Sequence, residues 1–551
     1  MSDVNQPFQY QLLIKQILKM PVAQASRREI VYRGVERFTY PQFVERVNRL
    51  GNTLRTLGAG MGTRVAVMDW DSHRYLESYF AVPMLGSVLM MVNIRLSPDQ
   101  IAYTIDHSGA EILLVNTDFL PLLDAIRDRL PKLRSIVLLS DTGETPAVPG
   151  SAGGYEALLA AAARSCDFPD FDENTQATTF YTTGTTGLPK GVMFSHRQLV
   201  LHTLALMSTL MMAGLNGRIS REDVYMPLTP MFHVHAWGFP YVATMMGMQQ
   251  VYVGRFLPDV VCHLLRTERV TVSHCVPTIM HMILNAPAAK DIDLTGWRVI
   301  IGGSALPRAL CEAGLARGVD IYAAYGMSET CPIMTMTQLR GDILDTAPDR
   351  REAEIRIRLA AGMPAVLCEV RVVDEAMNDV PHNGTSVGEV VARSPCLTPG
   401  YAGNPDASAA LWRGGWLHTG DIGTMDADGF LRIVDRVKDV IKTGGEWVSS
   451  IGLEDIILTH PAIFEVAVVG VPDERWGERP VAFVVPRPGV TLDEESVCDH
   501  VRAHAESGAI SRYAVPDRII VVDALDKTSV GKLDKKQMRN RAAALQTAPA
   551  A

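Results

Sequence analysis

The sequence predicts an α/β protein with a large N-terminal domain of layered α/β sheets, a small β-rich module at its end, and a small C-terminal α/β domain. Three observations predict it. Short β-branched or apolar runs alternate with helical patterns through most of the chain, the order that builds layered, largely parallel sheets. From about Cys368 such runs crowd together with turns between them. After Asp435 the alternation resumes over a little more than a hundred residues, a domain's length. At 551 residues, 47% hydrophobic and 21% charged, the chain exceeds one compact core and can fill several.

Taken in order, Arg64-Val65-Ala66-Val67-Met68 reads as a strand before a helix around Tyr75 to Leu85. Ile112 to Val115 is a strand followed by a helix over Leu120 to Leu130, and Ser135 to Leu139, Val251 to Val253, Ser273 to Val276 and Val299 to Ile301 continue the strand series. Cys368 to Val373, Gly388 to Ala392 and Gly429 to Ile433 form the β-rich module, expected over about 365–435. The boundary is expected between 435 and 436, giving an N-terminal domain of 1–435 and a C-terminal domain of 436–551. In the latter, Gly452 to His460 and Glu494 to His504 read as helices, and Phe464 to Val471, Pro480 to Val485 and Ile519 to Val522 as strands.

Composition excludes several classes. A formal net charge of −9 argues against nucleic-acid partners, which need a clustered basic surface. Eight scattered cysteines without a Cys-x-x-Cys pair suggest neither a disulfide framework nor a zinc site. Two charge-free stretches, Gln198 to Gly217 and Val224 to Gly254, carry too many polar and proline residues for membrane spans and are expected in the core. With no basic and apolar leader at the start, the expected location is the cytoplasm.

The segment Thr179-Phe180-Tyr181-Thr182-Thr183-Gly184-Thr185-Thr186-Gly187-Leu188-Pro189-Lys190-Gly191 carries the chemistry. Glycines let backbone N–H groups converge on anionic oxygens, threonine hydroxyls add donors or a metal ligand, and Lys190 adds charge for phosphate. A flexible surface loop is the bland alternative. The spacing is not that of a P-loop, since Gly184 and Gly187 are three apart and Gly191 follows the lysine. Further along stand Tyr325-Gly326-Met327-Ser328-Glu329, Trp416-Leu417-His418-Thr419-Gly420-Asp421, Asp435-Arg436-Val437-Lys438-Asp439 with Gly444-Gly445-Glu446, and Thr528-Ser529-Val530-Gly531-Lys532.

This ordered set resembles the motifs of the adenylate-forming superfamily of acyl-CoA synthetases, luciferases and peptide-synthetase adenylation domains. Within it, the chain is most similar to fatty-acyl-CoA synthetases and methylthiopropionate-CoA ligases. The resemblance implies an AMP-forming acyl-CoA synthetase using ATP, Mg²⁺ and coenzyme A. A carboxylate attacks the α-phosphorus of ATP, and a thiol then displaces AMP from the acyl-adenylate. It also implies that the C-terminal domain is mobile and that a homodimer forms through the N-terminal domain.

Site roles follow from the same resemblance. Thr182, Thr183, Gly184, Thr185, Thr186, Gly187 and Lys190 would hold the phosphates, with Glu329 and Thr185 as Mg²⁺ ligands. Gly302, Gly303 and Ser304 would cover adenine or the acyl carboxylate, with Gly326, Met327, Ser328 and Pro332 beside them. Tyr325 would stack on adenine or serve as a buried structural tyrosine, Asp421 would accept hydrogen bonds from both ribose hydroxyls, and Arg436 would contact the ribose or α-phosphate. Asp439 reads as a surface partner of a nearby lysine. Lys532 would be the adenylation lysine, Lys438 the pivot, and Lys442, Gly444, Gly445, Glu446 and Trp447 a face of the pantetheine channel.

The stretch Pro230-Met231-Phe232-His233-Val234-His235-Ala236-Trp237-Gly238-Phe239-Pro240 matches the region lining the acyl pocket. His233 takes the position beside the reacting carboxylate, and His235 has no assignment. Trp237 either gates the acyl tunnel or packs the core. Short- to medium-chain aliphatic acids are the expected substrates. Methylthiopropionate, long-chain and aromatic or alicyclic acids are the alternatives, and a degenerate adenylate-binding protein is the non-enzyme reading. No carrier domain follows Lys532, so free coenzyme A is the expected acceptor.

Overall fold

The computed structural model describes residues 8–24, 27–182, 188–212, 218–444, 446–507, 510–527 and 533–547. Among these residues the strands form four sheets. One is seven-stranded, in the order Ser151–Gly154, Ser135–Leu139, Ile112–Asn116, Arg64–Met68, Val88–Met91, Gln176–Thr182, Lys190–Ser195. All its neighbours are parallel except the last pair, a hairpin. A nine-stranded sheet has a parallel centre: Asp320–Gly326, Arg298–Ile301, Val272–Cys275, Val224–Pro227, Gln249–Tyr252 and Glu29–Tyr32. Antiparallel strands flank it: Glu36–Thr39 on one side, Ile333–Met336 and Met363–Pro364 on the other.

Parallel neighbours need crossover connections, and helices supply them. His73–Met84 links two strands of the seven-stranded sheet, and its start is fixed by Ser72, whose hydroxyl accepts the Tyr75 N–H at 3.1 Å. Tyr40–Thr56 begins in the same manner, with Thr39 and Gln42 capping each other's backbone. The helix expected over 120–130 is shorter: the α-helix ends at Ile126 and a 3₁₀ turn, Arg127–Arg129, completes it. Pro131 accounts for the break, because the residue before a proline is driven out of helical backbone, and Leu130 has φ −115° and ψ 64°.

Both faces of each large sheet are buried, which the strand pleat makes visible. In the seven-stranded sheet Val65, Val67, Leu89, Met91, Ile112 and Leu114 face a central core shared with Ile30, Tyr32, Tyr225 and Tyr252 of the nine-stranded sheet. The alternate residues Ala66, Met68, Met90, Leu113 and Val115 face a separate outer core. Val31, Met226, Val251, Val299 and Ile301 form the outer core of the nine-stranded sheet. The charge-free stretch from Gln198 lies in the helix His196–Met212, which packs Leu199, Val200, Leu206 and Leu210 into the central core. Its Thr203, Ser208 and Thr209 hydroxyls donate to carbonyls one turn back. Among the described residues no helix is long and apolar enough to cross a membrane.

The β-rich module is a four-stranded antiparallel sheet of Glu369–Val373, Gly388–Arg393, Leu417–Met425 and Leu431–Arg436. Its last strand begins two residues later than the sequence suggests. Gly429 sits at φ +85° in a turn where the Asp426 carboxylate accepts the Phe430 N–H at 2.9 Å. The fourth sheet joins Glu446–Val448, Ile441–Thr443, Gly477–Pro486, Ile463–Asp473 and Arg518–Val521. The helices Ser450–Leu458 and Glu494–Glu506 cover one face, and Lys535–Thr547 covers the other. The large and small domains meet where the His281 ring packs edge-on against Phe464, centroids 5.0 Å apart.

Candidate active site

Thr182 and Lys190 stand opposite each other at the mouth of the hairpin that ends the seven-stranded sheet. Thr183, Gly184, Thr185, Thr186 and Gly187 lie outside the described residues. The Lys190 ammonium lies 4.7 Å from the ring centroid of Tyr401, whose hydroxyl donates to Glu329 Oε1 at 2.7 Å. Tyr401 is itself anchored to the hairpin: it pairs with Val192, and the next N–H, of Ala402, donates to Gly191 at 2.8 Å. One phenol therefore spaces the lysine from the carboxylate. Burial and the neighbouring Glu329 both raise its pKa, so the phenol stays a donor. Sequence reading missed Tyr401, which follows Pro399-Gly400 without a recognisable pattern.

Glu329 is 6% exposed and sits in the short turn Ser328–Thr330. The Thr330 hydroxyl accepts the Met327 N–H at 3.0 Å, closing that turn, and Met327 packs with Tyr325 against Met334, Leu397 and Leu417. Gly326 must be glycine: a Cβ there would fall 1.6 Å from the Pro332 carbonyl oxygen. That close approach brings Gly326 and Pro332 together.

Tyr325, next to last in the strand Asp320–Gly326, donates its hydroxyl to Asp421 Oδ2 at 2.6 Å. Asp421 pairs across the β-rich sheet with Arg436, whose Nε lies 3.5 Å from Oδ1. Tyr325 is thus bound as an orienting partner of Asp421. Burial first, then the Asp421 charge, raises its pKa well above the usual phenol value.

The segment expected to line the acyl pocket follows the strand Val224–Pro227. His233 is half-buried, whereas His235 turns into the central core, its Nε2 2.8 Å from the Thr178 hydroxyl among the rings of Tyr79, Phe180, Phe194 and Tyr241. Burial pulls the His235 pKa down to about 3, and His202, against Gly238, down to about 4. The turn Val234–Trp237 is left-handed: φ is 48°, 55°, 45° and 59°, with Gly238 at 76°. It places the Trp237 indole, 5% exposed, against His274 at a centroid distance of 5.0 Å and directly over Gly302. A Cβ on Gly302 would lie 3.1 Å from Trp237 Cη2 and 3.0 Å from the Ala324 carbonyl oxygen. Gly303 takes left-handed backbone at φ +81° and Ser304 is exposed. His274, which the sequence presents only as a strand residue, is held between the Tyr225 and Thr229 hydroxyls at 2.8 and 3.1 Å, its pKa lowered by burial to about 3.

Around the expected pivot, Lys438 is exposed, and desolvation by the surrounding chain followed by the nearby Arg436 lowers its pKa. Asp439 pairs with Arg539 at 2.7 Å, so its partner is an arginine of the last helix and not the lysine the sequence suggests. Asp435 accepts the backbone N–H and the hydroxyl of Ser450, each at 2.6 Å. Lys442 donates its backbone N–H to Glu478 at 2.8 Å, and Gly444, at φ +60°, donates to the Trp476 carbonyl at 2.9 Å. Glu446 and Trp447 lie on the strand paired with Ile441–Thr443. Gly445 and Lys532 fall outside the described residues. Lys535, in the same basic tail, is bound to Glu454 at 2.7 Å.

Residues 19–402 match the family model described as AMP-binding enzyme, and residues 452–532 match its C-terminal domain. The chain belongs to the AMP-binding enzyme family. Among curated proteins it is 37% identical to a long-chain-fatty-acid–CoA ligase of Thermus thermophilus, covering 95% of this chain and 94% of the relative. It is 36% identical to a 3-methylmercaptopropionyl-CoA ligase of Ruegeria pomeroyi over 92% of both chains, and 34% identical to a medium-chain-fatty-acid–CoA ligase of Ectopseudomonas oleovorans over 98% and 97%. The fold matches an anthranilate CoA ligase in complex with anthranoyl-AMP with a TM-score of 0.85, 25% identity and full coverage of both chains. This AMP-binding enzyme is an acid–thiol ligase of the AMP-forming type, the class for which ATP and CoA are substrates.

Proposed function

We propose that the chain joins short- to medium-chain aliphatic carboxylic acids to coenzyme A through an acyl-adenylate. The observation that supports this is the Trp237 indole seated over Gly302 and against His274, where it would form a bulky apolar stop for the acyl chain. Met245 and Met246, half-buried beside the central core, add soft apolar surface, and no Arg or Lys lies between Asp223 and Arg255 to bind a second carboxylate.

In the first half-reaction two anions meet, so donors and cations must offset the gathering charge. Lys190 and the Thr182–Gly187 loop hold the β- and γ-phosphates, and Lys532 bridges the acid carboxylate and the α-phosphate. Asp421, oriented by Tyr325, accepts from the ribose hydroxyls, and Arg436 stands beside it. His233 lies beside the reacting carboxylate. A buried carboxylate next to nucleotide phosphates suits Mg²⁺, which takes one or two protein oxygens and completes its shell with phosphate and water. Among the described residues no cluster of three His, Cys, Asp or Glu forms a protein-only metal cage. Glu329, tied through Oε1 to Tyr401, fits such a role, with Thr185 as the second protein oxygen. Residues 436–551 act as the moving domain, with Lys438 as pivot and the Lys442–Trp447 segment facing the pantetheine arm.

A panel of acids tests the reading: acetate through long-chain fatty acids, methylthiopropionate and benzoate, with pyrophosphate release and thioester formation both recorded. The expected maximum falls among short to medium linear acids. A maximum at benzoate or at a long-chain acid overturns the substrate assignment, and a maximum at methylthiopropionate replaces it. Absence of acid-dependent pyrophosphate release from every substrate overturns catalysis itself.

A further inference from the structure

The segment that carries His233 and Trp237 is gripped near its start, at Met231, from both sides. Asp71 lies after the strand Arg64–Met68, and its Oδ1 accepts the Met231 N–H at 2.7 Å. On the opposite edge of the same residue, the Met231 carbonyl accepts the Tyr79 hydroxyl, from the helix His73–Met84. Asp71 is also fixed through its backbone, its carbonyl accepting the Gly254 N–H at 2.9 Å. One short stretch of the seven-stranded layer therefore holds loops that follow two strands of the nine-stranded sheet. Both side chains are buried, Asp71 at 9% exposure and Tyr79 at 0%. The groups facing Asp71 are Arg95, Asp69, Tyr75, Tyr79, Tyr225 and Tyr252.

Downstream, local hydrogen bonds wind the chain: His233 N–H to Pro230, Ala236 N–H to His233 and Gly238 N–H to His235, at 2.9, 3.1 and 2.9 Å. Four consecutive non-glycine residues then adopt left-handed backbone, which L-residues avoid and which surrounding contacts must hold. The grip on Met231 is where those contacts begin.

We propose that Asp71, assisted by Tyr79, is a positioning residue for acid selection: it clamps Met231 and so holds the left-handed turn that sets Trp237 over Gly302. The proposal rests on the reading of Trp237 as the wall of the acyl pocket. Asp71 touches neither acid nor nucleotide, and it acts through the backbone of Met231.

Three variants of the full chain test it. Asp71→Ala removes the acceptor, Asp71→Asn restores a neutral acceptor of the same shape, and Tyr79→Phe deletes the hydroxyl while keeping the ring. Hydrogen exchange over residues 231–238 and kcat/KM across linear acids are measured for each. In Asp71→Ala, assayed at pH 8 where Asp71 is ionised, exchange in that segment rises, and kcat/KM for the preferred acid falls by about ten- to hundredfold at an unchanged KM for ATP, the range for losing a hydrogen bond to a charged group. Asp71→Asn recovers most of both. Tyr79→Phe gives the same pattern at about threefold or more, and it carries the test if Asp71→Ala fails to fold. Exchange at the wild-type rate in Asp71→Ala or Tyr79→Phe overturns the clamp, as does failure of Asp71→Asn to recover acid selection. A Trp237→Ala control separates the two readings. An unchanged acid ranking there rejects the pocket wall, whereas an altered ranking with unmoved exchange in the Asp71 variants rejects the clamp alone.

Discussion

Burial moves the Asp71 carboxyl up from its ordinary 3.8 to about 7, against the opposing pull of the Met231 N–H and Arg95. The consequence for stability has a definite sign. Between about pH 4 and pH 7 the folded chain keeps a proton on Asp71 that the unfolded chain has released. Stability carried by this group is therefore greatest at low pH, declines as pH rises through that window, and levels off above about 7. Asp71→Asn removes the slope: in paired denaturant titrations at pH 5 and pH 8, wild type gains relative to the variant at pH 5. An equal difference at both values contradicts the raised pKa. A second residue-scale expectation concerns Lys532. If it bridges the carboxylate and α-phosphate, Lys532→Ala loses adenylate formation by roughly 2.7–4 kcal/mol, the worth of one transition-state donor. Thioester formation from preformed acyl-AMP is spared. Half-reactions measured separately decide it, and equal losses would refute the role. Single side chains divide sharply in how far sequence reveals them. Glu329 and Asp421 stand inside recognisable motifs, whereas Tyr401 and Asp71 matter only through partners 72 and 160 positions away.

At the scale of elements, β-branched runs such as Val65–Val67 and Ile112–Val115 are legible because both faces of their strands are buried, leaving no polar alternation to confuse. Boundaries are less so: Pro131 shortens one helix and the Asp426 turn delays one strand, each through a local contact outside the run. The left-handed turn at Val234–Trp237 is invisible in sequence, since none of its four residues is glycine or asparagine. Its strain, about 1–2 kcal/mol per residue, is held by tertiary contacts that no local pattern encodes. Trp237→Ala tests what the turn is for. With the indole gone, a longer acid fills the space and recovers about 0.8 kcal/mol per buried CH₂, so the preferred chain length increases. Should Trp237 only pack the core, the same change costs about 3–5 kcal/mol of stability and leaves the ranking of acids as it was. Parallel melts and kcat/KM profiles distinguish the two.

For the whole molecule, the alternation of strands and helices and the ordered motifs carry the architecture, while the seam between the two large sheets is not written in any one segment. The proposed rotation of the C-terminal domain is tested at Lys438. Lys438→Pro restricts the pivot, so pyrophosphate release in a single turnover persists while thioester formation is suppressed. Normal overall turnover excludes Lys438 as hinge. The Arg539–Asp439 ion pair joins the last helix to the segment beside that pivot. If Lys438 is the pivot, that ion pair makes helix and pivot one lever, and the exposed Lys536 is a place to watch it from. A fluorophore on a cysteine introduced there, paired with a second on the large domain, would convert each rotation into a step in energy-transfer efficiency. Six of the eight native cysteines are buried, leaving Cys166 and Cys368 as the partly accessible thiols to replace before such a reporter is attached.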